Sequence, residues 1–164
     1  MQNLCRIVIL GLVLIFLTPK TIVMNTNKFL LSGIAGGVTF FLLGWIFYGT
    51  LLSNFFMTHA GPAIGVNRAS DHMLYLYLIL GNLFSGFLLA YVFSISGIST
   101  VSKGLVTGAI IGFLASSSYD SVSYATTWVS SRTSVVADVV TFTVVSAIAG
   151  VVVAWIAGTG KKAA

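Results

Sequence analysis

Two aspartates, Asp120 and Asp138, stand inside long apolar stretches of a chain that has only three acidic residues. A carboxylate in such surroundings can hold a proton, ligate a cation, or accept hydrogen bonds that pin helices together. Ionisable groups within membrane segments are functional candidates by default. Asp120 belongs to SSSYDSVSYATTW, residues 116–128. Helical spacing puts Ser116, Ser117, Ser123 and Tyr124 on its face, and Ser134 and Thr141 on the face of Asp138. The link between the two stretches centres on Val129, nine residues from each aspartate. In an antiparallel helical hairpin the two carboxylates therefore share one depth, about one turn below the surface. Arg132 is close enough in sequence to join them, and Asn82, deeper on another helix, is a further candidate for the same interior.

The residues leave two readings open. In one, Asp120 accepts hydrogen bonds from serine, threonine or tyrosine, or pairs with Arg132, and holds the hairpin together. Such interhelical bonds are worth about 0.6–2 kcal/mol, against about 2.5–3.5 kcal/mol for an aspartate at the bilayer centre. In the other, two adjacent carboxylates share a proton or a cation, because like charges side by side resist joint ionisation. A transporter also needs a wet path. Below Asp120 the sequence GAIIGFLA is dry, so other helices would have to supply one.

The elements that position these residues follow from composition. The chain is 57% hydrophobic and 7% charged, with mean hydropathy +1.04. So little charge cannot clothe a water-facing surface, where about 25% is usual. A spanning helix needs about 20 mostly apolar residues, and four stretches qualify: 29–52, 74–96, 101–124 and 133–158. They are continuous rather than alternating, which excludes a β-barrel. The expected fold is all-α, an integral membrane four-helix bundle over residues 24–158, followed by a basic tail at 159–164. A polar loop, 53–73, joins the first two helices.

Residues 7–17, IVILGLVLIFL, are apolar but short. They suit a signal-peptide core, yet TPKTIVM lacks a small-x-small cleavage pattern. Residues 1–23 are thus an additional short hydrophobic segment, a signal, or untranslated sequence ahead of a start at Met24. With four spans, Lys20, Lys28, Lys103, Lys161 and Lys162 fall on one side, and Arg68 and Arg132 on the other. The positive-inside rule then places both termini in the cytoplasm. Tyr48, Tyr75, Tyr77 and Trp128 fall toward the opposite interface, as an aromatic belt would.

Small residues recur at four-residue spacing: Gly33 and Gly37; Gly104, Gly108 and Gly112; Gly150, Ala154 and Gly158. Such ridges let helix backbones approach closely, within a bundle or between copies. The eight basic residues are scattered, leaving no footprint for nucleic acid. Cys5 is the sole cysteine, so a disulfide within this chain and a cysteine metal cluster are excluded. His59, Asp71 and His72 in the 53–73 loop could form a metal or pH-sensing site, but their spacing matches no ligand pattern. Phosphate-loop, dinucleotide and zinc-hydrolase motifs are missing. The expectation is no enzyme, no cofactor and no resident metal.

Three short elements carry a resemblance: Gly44-Trp45-Ile46-Phe47-Tyr48-Gly49 closing the first helix, Leu80-Gly81-Asn82-Leu83-Phe84 in the second, and Tyr119-Asp120 late in the third. In them the chain resembles small bacterial inner-membrane proteins of the domain-of-unknown-function family seventeen sixty-one, over about residues 25–158. The resemblance implies a four-helix membrane protein and no particular activity. Residues 1–23 have no counterpart in it. The leading expectation is a non-enzymatic membrane protein that packs with itself or with a membrane partner. The competing one is a small ion- or proton-coupled transporter or channel using the carboxylate pair.

Overall fold

The computed structural model describes residues 25–159. The N-terminal hydrophobic segment with Cys5 and Lys20, and the tail lysines Lys161 and Lys162, lie outside the described residues. Helix α1 spans Thr26–Gly44 and runs on as a π-helix, Trp45–Leu51. A short α2, Ser53–Thr58, and a 3-10 turn, Ser70–His72, lie within the loop that the sequence presents as merely polar. Helices α3 (Tyr75–Ser96), α4 (Val101–Thr126) and α5 (Arg132–Gly158) complete the chain. Four helical stretches are long and apolar enough to cross a membrane: Thr26–Leu51, α3, α4 and α5. The protein is an all-α bundle of four such helices.

Local chemistry sets the ends. The Asn25 side chain accepts the Lys28 amide at 3.1 Å, so the first span begins three residues before its apolar run. Ser131 caps α5 by accepting the Ser134 amide at 3.2 Å. Gly97, at φ +67°, ends α3, and its amide and that of Ile98 return to the carbonyls of Ser94 and Phe93.

Helix α5 is central. It packs against α1 and α4, and more lightly against α3, while α1 also packs along α3. The apolar core comprises Phe40, Leu89, Ala90, Phe93, Val145, Ala149, Val153 and Ala154, all from α1, α3 and α5. Helix α4 adds no fully buried apolar side chain to it, only the half-buried Ile111 against its edge. Its buried residues are Gly104, Gly108, Gly112, Ser116 and Asp120, a single stripe at four-residue spacing. The stripe lets α4 lie backbone to backbone on α5. A Cβ on Gly104 would meet Ala154 and the Gly150 carbonyl, and one on Gly108 would meet the Ser146 carbonyl. At the α1–α3 interface, Gly33 faces the Phe87 ring and Gly37 the Leu83 backbone. Gly158 lies against the Ser99 carbonyl.

Every ridge singled out in the sequence thus meets a neighbour within the chain, the first of the two uses its spacing allows. Their counterpart on α3, Gly86 against Gly33 and Gly37, was legible by the same rule, since buried Ala90 follows four residues later.

Candidate functional site

The two ends of the bundle are distinct. At one, Lys28 of α1 donates to the carbonyl of Thr159 beyond α5, so the described chain ends meet there with the α3–α4 turn. At the other, the 53–73 loop meets the α4–α5 link. Gly61 donates to the Val129 carbonyl at 2.8 Å and Ala63 to that of Trp128 at 3.1 Å. Ala60 and Ser130 form an antiparallel bridge. The Ser131 hydroxyl donates to the His59 carbonyl at 2.6 Å. This clasp closes the loop end of the α4–α5 hairpin, beneath which the aspartates lie.

The α4–α5 register brings the carboxylates together. Gly104, Gly108 and Gly112 face Gly150, Ser146 and Phe142 in turn, and continuing the antiparallel count sets Asp120 against residues 134–138. Asp120 is 8% exposed, and its carboxyl interacts directly with that of Asp138. A third helical segment completes the group, because Tyr48 lies close enough to Asp138 and Asp120 to interact with both carboxyls electrostatically. Sequence reasoning placed Tyr48 in an interfacial belt and missed this role.

Tyr48 is aimed by the π-helix. The Leu52 amide donates to the Phe47 carbonyl, five residues back, at 2.7 Å, a wider turn that changes the direction of the side chains within it. Gly49 gives the Trp45 indole room, since a Cβ there would lie 2.8 Å from Trp45 Cδ1. Phe56 of α2 stacks on the Tyr48 ring at a 5.4 Å centroid distance. Single π-turns recur at functional positions.

The hydroxyls beside the carboxylates are already engaged as donors. Ser116 donates to the Gly112 carbonyl at 2.8 Å, and Thr141 to that of Ala137 at 2.7 Å. Both are buried, and both keep lone pairs for a proton or cation. Arg132 donates to the Tyr124 hydroxyl at 3.0 Å, and both side chains are exposed. The pairing of Asp120 with Arg132 or Tyr124 is therefore not made. Asn82 donates to the Leu78 carbonyl of its own helix at 2.7 Å, and α3 packs on α1 and α5 rather than α4, so it does not join the pair. Ser117 is half-buried at the margin. The result is a buried Asp120 Oδ2 with no hydrogen-bond partner among the described residues. Such an acceptor costs about 1–3 kcal/mol when nothing donates to it.

Among the described residues, no cluster of three or more His, Cys, Asp or Glu could hold a metal. His59 stacks on Phe55, while Asp71 and His72 lie 3.6 Å apart and exposed. An apolar groove of about 600 Å³ runs along α5 between Leu52, Phe55 and Val140, and its lining includes neither aspartate. The fold and site together define a multi-pass membrane helix bundle with a buried carboxyl pair near its loop end. No protein-family model matches the chain, and no curated protein or solved structure is significantly similar to it.

Proposed function

We propose that this is a non-enzymatic membrane protein whose working part is the Asp120–Asp138 pair, a site that takes up a proton or a monovalent cation from the loop side. The observation that carries the reading is the buried Asp120 oxygen without a donor, beside a second carboxyl. A protein using Asp120 as a structural pin would supply hydrogen-bond donors, and here Ser116 and Thr141 donate to their own helices while Arg132 turns to Tyr124. A shared proton, or a small cation, satisfies both carboxyls. Two carboxylates, the Tyr48 phenol and the lone pairs of Ser116 and Thr141 form a hard oxygen set with too few charges for a dedicated divalent cage.

Beyond the pair, α4 continues as glycines pressed on α5, which offers no wet path within one chain. The site therefore acts by binding, and conduction would need a second copy or a partner. Helix α4 favours such a partner, because α5 covers only one of its faces and Ser118 and Ser121 stand exposed. The loop charges argue for cytoplasmic termini in a bacterial inner membrane, and kinship with family seventeen sixty-one is proposed on the three short elements alone.

The test is the melting temperature in detergent on exchanging sodium, potassium and lithium chloride at constant ionic strength, together with the infrared carbonyl stretch of protonated carboxyls. The parent should show a cation-selective shift or a protonated-carboxyl band that Asp120→Asn removes. A parent with neither feature would defeat the proposal.

A further inference from the structure

At the bundle end opposite the carboxyl pair, four segments enclose a pocket of about 280 Å³. Asn25, Lys28 and Ser32 come from the start of α1, Ser94 from the last turn of α3, and Ser99 from the turn that follows. Phe29, Phe93 and Ile98 complete an amphiphilic lining. All lie at or near the ends of membrane-crossing helices, the level of lipid headgroups.

Among the described residues, no acidic side chain lies at this end. Lys28 and Lys103 lie here. The chain's acidic residues are Asp71, Asp120 and Asp138, all toward the other end. Three of the carbonyls beside the pocket that would favour a cation are already capped. Lys28 takes that of Thr159, and Gly97 and Ile98 take those of Ser94 and Phe93. The contact with Thr159 holds the ammonium at the pocket and leaves it two further N–H donors.

We infer that this pocket binds the headgroup phosphate of an anionic phospholipid, with Lys28 as its ionic contact, the Ser94 hydroxyl as a donor, and Phe29 and Ile98 against the lipid's apolar part. Basic pockets between membrane helices recognise anionic headgroups in this manner. The site is independent of the carboxyl pair.

The test compares the parent, Lys28→Gln, Lys28→Arg and Ser94→Leu in mixed micelles. Phosphatidylglycerol is titrated against phosphatidylcholine, with inorganic phosphate as a third arm. Melting temperature and lipid retained in native mass spectrometry are the readouts. Phosphatidylglycerol should raise the parent's melting temperature and be retained. Lys28→Gln should weaken that effect about fivefold, the worth of one basic residue at a membrane surface, with each variant's shift read against its own melting temperature in phosphatidylcholine. Lys28→Arg should keep the effect. Ser94→Leu, which fills the pocket but leaves the charge, should lose it. An unchanged response in both Lys28→Gln and Ser94→Leu, or none in the parent, overturns the site. A full response to inorganic phosphate alone overturns the lipid as its source.

Discussion

Replacing Gly108 by alanine tests whether α4 is held by close backbone approach to one neighbour. A Cβ there would lie 3.1 Å from Gly150 Cα and closer still to the Ser146 carbonyl. Ordinary carbon contacts are about 3.5–4.0 Å, so α4 must lift by at least ~0.4–0.9 Å, a gap that forfeits a quarter to a half of each dispersion contact. Neither neighbour is a flexible side-chain end, and α4 has no second large interface to hold it in place. Overpacking costs about 1–3 kcal/mol, from which the ~0.5–1 kcal/mol gained by alanine over glycine in a helix is subtracted. The net expectation is a loss of up to about 2.5 kcal/mol. Gly81→Ala is the control, because nothing lies within 4 Å of its added Cβ, and it should gain about 0.5–1 kcal/mol. Reversible unfolding in mixed micelles with rising dodecyl sulfate, followed by circular dichroism, gives both values. If Gly108→Ala and Gly81→Ala agree in sign and size, the stripe does not hold α4.

Gly61→Val should open the clasp, since its Cβ would lie 2.8 Å from the Val129 carbonyl carbon and 2.9 Å from the Ser130 nitrogen. Hydrogen exchange at the Gly61 and Ala63 amides should then accelerate while the amides of α5 stay protected. Tyr48→Phe should weaken cation uptake, because the phenol oxygen leaves the oxygen set, and should strengthen proton uptake, because a donor to the charged carboxylate opposes its protonation; a cation response equal to the parent's would remove Tyr48 from the site. Arg132→Gln should leave uptake unchanged, because Arg132 serves Tyr124 and not the carboxyl pair; altered cation selectivity in that variant would place Arg132 at the site.

What the sequence discloses here is what depends on period and length. Four apolar runs state four spans, and the nine-residue symmetry of Asp120 and Asp138 about Val129 places them at one depth once the hairpin is assumed. The spacing of Gly104, Gly108 and Gly112 states that α4 approaches something closely, but not that the something is Gly150 and Ser146 of its own chain. What stays hidden depends on choices between near-equal local bonds. A π-turn at Trp45–Leu51 differs from an α-turn by one residue of hydrogen-bond register, and nothing in WIFYGTL announces it. Ser116, Thr141 and Asn82 could donate across helices or to their own helix, and each takes a carbonyl four residues back. Tyr48 meets Asp138 across 90 residues of chain, a contact set by the packing of α1 on α5 and by Phe56.

The measurement that bears most directly on the carboxyl pair is a double-mutant cycle of stability in detergent: parent, Asp120→Asn, Asp138→Asn and the double variant. If the pair is a binding site kept at a cost, Asp120→Asn should stabilise the protein by about 1–3 kcal/mol, the penalty of a buried acceptor that nothing satisfies, because the new amide can donate to Asp138. Asp138→Asn should likewise not destabilise. If both single variants destabilise and the double costs far less than their sum, the carboxyls are structural partners and the proposed function is wrong.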